Sequence, residues 1–253
     1  MDLYAGTFTR YYAGNWKTEA QKWCEEFGFD YKKITPVQNS EVLPVEEILP
    51  MVETWRDNLL EALRMEGFSV EPWPEDNERP YYTNKPDWPA FNALLLYVAC
   101  LSLNEPFPEK FSKTAQFKDF EISQRIPSNS TLGWSLIHRI NYWLPLEIDV
   151  AVKTGLLSGG MDTFYTTNCL IKELKQINEL SWKADDETID SWFDLAGYEP
   201  EDEKRTKLKE GFSMVEPASG YYDTESLAKF AFSRFYRAAR FAQENSVPLI
   251  MDF

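Results

Sequence analysis

The stretch Trp88–Leu103 constrains this chain more than any other. Phe91, Leu94, Leu95, Leu96, Tyr97, Val98, Cys100 and Leu101 leave it almost no polar face, and a helix that is apolar all round has to be buried. Asp87 stands where a helix cap belongs. The rest of the chain must therefore supply surfaces that cover this helix, which reads as the hydrophobic centre of the fold. With 253 residues, 43% of them hydrophobic, there is material for one large domain spanning residues 1–253.

Period-two patterning places a sheet beside the helices. From Leu146 onward, Leu146, Ile148, Val150 and Val152 alternate with Glu147, Asp149, Ala151 and Lys153, the signature of successive side chains on opposite faces. Pro145 suits a strand start, where its missing N–H breaks no interior bond. The stretch Leu146–Val152 is thus expected to be the central strand. Leu3–Tyr12, rich in aromatic and β-branched residues, reads as the first strand, with Gly6 marking a bulge or a close backbone approach. Val247–Phe253 reads as a short edge strand, because Pro248 cannot donate to a ladder. Its residues Leu249–Phe253 are expected to pair beside the first or central strand, with Asp252 near Arg10 or Arg139.

Helical spacing accounts for most of the remainder. Trp16–Phe27 reads as a helix stopped by Gly28. Ile48, Val52, Trp55, Leu59 and Leu63 form a stripe, with Pro50 placed in the first turn and Gly67 closing the helix. A short helix is expected near Thr114–Phe120, and another carries Leu170, Ile171, Leu174 and Ile177. Asp185 is expected to cap a helix over Asp186–Ala196, ended by Gly197. Asp223 caps the last one, with Phe230 and Phe235 inward and Lys229, Ser233, Arg237 and Arg240 outward. The fold class expected is α+β, a predominantly helical single domain around a small sheet.

Charge narrows the range of functions. Forty-one acidic against 26 basic residues give a net charge of -15. That balance disfavours nucleic acid and anionic membranes, whose phosphates need a basic face, and favours a basic partner. No apolar run is long enough for a transmembrane helix, and Met1-Asp2-Leu3-Tyr4 lacks the basic and apolar regions of a secretory signal. Cys24, Cys100 and Cys169 share no metal-ligand spacing and read as buried thiols of a cytoplasmic protein, not as a disulfide framework. No metal or other cofactor is implied.

Four places could carry function. The run from Asp185 to Glu203 holds Asp185, Asp186, Glu187, Asp190, Asp194, Glu199, Glu201, Asp202 and Glu203 with no Lys or Arg between them, so it could engage a basic partner. The loop Glu71–Trp88 mixes prolines with large aromatics; Trp73, Tyr81 and Tyr82 either pin it to the core or present a partner surface. Glu147 and Asp149, two apart on a strand, would share a face with Cβ atoms about 7 Å apart. That could flank a glycosidic bond or ligate a hard cation, or it could be a solvated strand face. His138, the chain's one histidine, lies in an apolar helical context and reads as a structural residue. The glycine-rich run Gly155–Gly160 lacks the Lys and Ser/Thr of a P-loop and reads as a turn.

Several blocks resemble an uncharacterised family of bacterial proteins. They are Leu3–Tyr12, Trp143–Asp149, Cys169–Leu174 through Asn178, and Pro248–Phe253. The resemblance implies a bacterial cytosolic protein with a single intact domain, and it implies no activity. Two functional expectations stand beside each other. One is a non-enzymatic acidic binding protein, immunity-like in its specific version, engaging a basic protein partner such as a nuclease toxin. The alternative is a carboxylate-dependent hydrolase using Glu147 and Asp149 in an aromatic-lined cleft.

Overall fold

A computed structural model of the chain describes residues 1–31, 43–127, 132–194, 203–209, 212–217 and 219–252. The fold is α+β and largely helical, as expected. Its residues divide into two compact units, one comprising Met1–Lys85, Arg139–Lys172 and Ala238–Phe253, the other Pro86–His138 and Glu173–Arg237. Helices α7 (Thr167–Leu180) and α9 (Thr224–Glu244) supply residues to both.

The first unit holds a six-stranded sheet in the order β2-β1-β10-β4-β6-β5. Its strands are β1 (Asp2–Ala5), β2 (Tyr82–Asn84), β4 (Tyr142–Leu144), β5 (Val152–Gly155), β6 (Met161–Thr166) and β10 (Leu249–Asp252). Only β4 and β6 pair in parallel; the other neighbours are antiparallel. Helices α1 (Phe8–Tyr12), α2 (Glu19–Phe27) and α3 (Val45–Met65) complete the unit. Tyr4, Phe8, Val52, Leu60, Leu144, Phe164 and Ile250 lie in one apolar core.

Three sheet expectations are corrected. The strand expected over Leu3–Tyr12 ends at Ala5, and Phe8–Tyr12 is helical. A spacing of four, as in Tyr4, Phe8 and Tyr12, fits a strand face and a helix stripe equally well. Local chemistry decides between them: Thr7 caps α1 by accepting from the Arg10 amide (3.2 Å), and the Tyr4 hydroxyl donates to the Thr7 carbonyl (3.0 Å). At Gly6 a close approach does occur, though by the chain's own Tyr4, whose hydroxyl would lie 2.4 Å from an added Cβ.

The central strand is displaced as well. It is β4, at Tyr142–Leu144, and Pro145 ends it instead of starting it. Residues 145–151 are irregular, with the Leu146 amide turned back onto the Leu144 carbonyl (2.8 Å). Leu146 nonetheless lies in the core, and Ile148, Val150 and Val152, partly buried, pack against it. The alternation therefore reported which side chains point inward without reporting a ladder.

The C-terminal segment is an interior strand, not an edge. β10 pairs with β1 on one side and β4 on the other. Pro248 precedes the strand, where it breaks no ladder bond, and its carbonyl accepts from the Gly6 amide (3.0 Å). Asp252 stands opposite Asp2 in register and accepts the Tyr11 hydroxyl. Arg10 is engaged elsewhere, donating to the carbonyls of Asn15, Asn77 and Arg79.

Among the helices of this unit, α2 ends as expected, with Gly28 at positive φ after its last turn, but it starts at Glu19 and not Trp16, because Thr18 and Gln21 form a reciprocal capping box there. α3 buries Ile48, Val52, Leu59 and Leu63. Pro50 sits inside it, one turn beyond the place expected, because the helix begins earlier, at Val45.

The second unit is built on α4 (Trp88–Leu103), buried continuously from Ala90 to Cys100. Asp87 occupies the N-cap position at φ 56 but makes no capping hydrogen bond. The unit also contains β3 (Lys110–Ser112) paired with β9 (Tyr221–Asp223), α5 (Ile122–Arg125), α6 (Trp134–Ile137), α8 (Asp186–Asp194) and the hairpin β7 (Glu203–Lys209) and β8 (Phe212–Pro217). In place of a helix over Thr114–Phe120 there is a single 3-10 turn, Phe117–Asp119. The Asp223 carboxylate caps α9 through the Ser226 amide (2.7 Å). Ser233, expected on the outer face of α9, is buried and donates to the Phe230 carbonyl (2.9 Å). The expected helix end at Ala196 and Gly197 lies outside the described residues.

Candidate functional site

The carboxylate pair expected on one strand face is not on a strand. Glu147 is exposed on a bend, and Asp149 follows in the irregular segment ahead of β5. Asp149 is tied to the start of α7: Lys172 Nζ lies 2.6 Å from its Oδ2, and Asn168 Nδ2 and Cys169 Sγ lie 2.8 and 3.4 Å from its Oδ1. The Lys172 hydrogen bond holds its carboxyl below the usual range, while burial pushes the Cys169 thiol up. This arrangement fastens a loop to a helix. It has neither the paired oxygens of a cation site nor two carboxyls facing a common substrate.

The acidic run is anchored through α8. Asp185 caps that helix, accepting from the Thr188 amide (2.9 Å), and Thr188 keeps its carboxyl below the ordinary value. Asp186 accepts the Tyr236 hydroxyl (2.9 Å), and Asp190 accepts from Arg237 through Nε (3.2 Å) and Nη2 (3.1 Å). Phe193, one turn on, lies under the guanidinium groups of Arg234 and Arg237, 3.8 and 3.9 Å from its ring centroid. Ile189 is buried, whereas Asp185, Asp186 and Glu187 are exposed. The basic face of α9 thus meets part of the acidic run within the same unit. Asp194 ends α8 and Glu203 begins β7, while Glu199, Glu201 and Asp202 lie outside the described residues.

The aromatic loop is pinned to the core. Trp73 is only 3% exposed, which removes it from the partner-contact set. Tyr81 and Tyr82 are half-buried; Tyr81 lies beneath Arg10 and Lys22, and Tyr82 packs on Phe241. Tyr82 also begins β2, so the loop contains a strand that pairing patterns alone did not reveal.

Within this loop sits a residue that the sequence reading passed over. Glu75 is 2% exposed. Its Oε2 accepts from the Thr9 amide (2.9 Å) and Thr9 hydroxyl (3.2 Å), and its Oε1 from Trp73 Nε1 (2.6 Å). Arg56, itself buried on α3, donates to the Trp73 carbonyl (2.6 Å) and adds positive charge nearby. Burial outweighs those donors and raises the carboxyl to about 7. In the sequence Glu75 is one carboxylate in an acidic chain; Trp73 two residues before it was the available signal.

His138 follows α6 and is exposed, with its ring 4.6 Å from that of Trp134, so it is not the core residue expected. Gly155–Gly160 is a turn, as expected, and it connects β5 to β6; the Leu156 amide donates to the Gly160 carbonyl (3.0 Å). Among the described residues no group of three or more His, Cys, Asp or Glu could hold a metal ion, and no helix is long and apolar enough to cross a membrane. Compared with protein families, curated proteins and solved structures, the chain has no match.

Proposed function

We propose that this chain is a non-catalytic acidic binding protein that engages a basic protein partner through the carboxylates around α8. The observation that carries the reading is a net charge of -15 combined with Asp185, Asp186 and Glu187 exposed on one short helix. A surface of one sign attracts an oppositely charged partner over several ångströms and accelerates encounter in a salt-dependent way. Asp186 and Asp190 already hold side-chain partners within the chain and Asp185 caps α8 through the Thr188 amide, so Glu187, exposed beside them, is the carboxylate most open to the surface. The specific version is an immunity-like protein that neutralises a basic toxin. A cytoplasmic location suits its three free thiols.

The hydrolase alternative draws no support from the geometry, since Asp149 is held by Lys172 and shares no strand face with Glu147. The binding reading is tested by capture from a native lysate at low and high salt, followed by kinetics with the recovered protein. Recovery of a basic protein only at low salt is the expected result. The substitution Glu187→Lys should then slow association. Recovery of no basic protein at either ionic strength, or association unaffected by that substitution, would overturn it.

A further inference from the structure

We propose that Glu75 is a proton-controlled latch, which when neutral holds the loop at Trp73 against the first turn of α1 and when ionised lets the two part. The geometry supplies both sides of the latch. One carboxyl group joins Thr9, the second residue of α1, to Trp73 in the loop, through three donors at 2.6–3.2 Å. The same loop carbonyl, at Trp73, receives Arg56 from α3. With Glu75 at 2% exposure, water cannot solvate a negative charge there unless the contact opens.

The groups facing this carboxyl come from four places. Thr9 and Tyr12 lie on α1, Tyr4 on β1, Trp73 in the loop and Arg56 on α3. Arg56 is the cation among them, and its guanidinium is shared with Asp57, 2.9 Å away. It therefore offsets only part of the cost of a buried charge. The neutral acid is well accommodated: one oxygen accepts from Trp73, while the other can carry the proton toward the Thr9 hydroxyl and still accept the Thr9 amide.

The sign follows from linkage. The carboxyl stands at about 7 in the closed state against an ordinary value of 4.5 when released. The closed state therefore binds the proton more tightly. Its advantage is complete below the released value and is lost as pH rises through the closed one. Opening should become more frequent between those limits and level off above the upper one.

Amide hydrogen exchange tests this on the intact protein. The Tyr11 and Ala13 amides, which donate to the Thr7 and Thr9 carbonyls, report on α1 without touching Glu75. After division by intrinsic base catalysis, their opening constant should rise on the order of fifty- to a hundredfold between about pH 5 and 8. In Glu75→Gln, which cannot ionise, it should stay flat. A flat response in the unaltered protein, or an equal rise in the variant, would overturn the latch. Should the variant fail to fold, the carboxyl carbon of Glu75 can be followed by NMR in the unaltered chain. Titration near neutrality is the expected result, and titration at the ordinary glutamate value would sink the proposal.

Discussion

At the scale of single residues, Gly6 and Tyr4 constrain each other closely. Tyr4 is fully buried and its hydroxyl closes onto Thr7, so the ring cannot swing away from the position a Cβ at Gly6 would need. Gly6→Ala should destabilise by about 1–3 kcal/mol through overpacking, measured by urea denaturation. Tyr4→Phe should not rescue it, because the ring carbon Cζ would also lie 2.6 Å from the new Cβ. Asp149 is a milder case. Its Lys172 pair is more than half exposed on both sides, so Asp149→Asn should cost less than about 1 kcal/mol. The effect should fade as acid protonates the aspartate, since a lowered carboxyl contributes only above its own titration.

Whole elements carry larger consequences. β10 lies between β1 and β4, and Leu249, Ile250 and Met251 are almost completely buried. Truncation after Val247 removes that apolar burial and leaves two strands without their common neighbour. A loss of about 3 kcal/mol or more is expected from the side chains alone, and an unchanged melting temperature would show that the segment is dispensable. The contact of α8 with α9 is of a different kind. Asp190 and Arg237 are both partly exposed, so a double-mutant cycle on them should give a coupling below about 1 kcal/mol. The packing of Ile189 and of Phe193 under the Arg234 guanidinium should hold α8 in place when the ion pair is removed.

Over the whole molecule, several pH effects point the same way. Glu75 withdraws its contribution as pH rises through about 7. Burial raises the phenols of Tyr4, Tyr11 and Tyr12 above their ordinary value of 10.0; their contribution is present below that value and is lost in alkali. The net charge of -15 adds self-repulsion as remaining protons leave. The melting temperature should therefore be higher at mildly acidic than at mildly alkaline pH, and added salt should narrow the difference. Ultraviolet titration should show a set of tyrosines that ionise only together with unfolding. A melting temperature that climbs with pH across neutrality would contradict this account.

The sequence alone determined which side chains are buried far better than it determined backbone pairing. α4 was legible because a stretch with no polar face can only be buried. The caps of α8 and α9 were legible because Asp185 and Asp223 act within one turn of their own positions. Leu146–Val152 shows the limit: its alternation marks the inward side chains correctly, yet only pairing with another strand makes a strand, and residues 145–151 form no ladder. β10 was misjudged as an edge for the same reason, since Pro248 speaks only for its own N–H and not for the strands that flank β10 on either side. The candidate sites divide along this line. Asp185, Asp186 and Glu187 are exposed where the charge run suggested, because solvated charge is a local property. Glu75 belongs to no such charge run, and Trp73 two residues before it was its one local sign. A carboxylate becomes unusual only when Thr9, Arg56 and Trp73 are folded around it and water is excluded, and that exclusion is decided by tertiary structure alone.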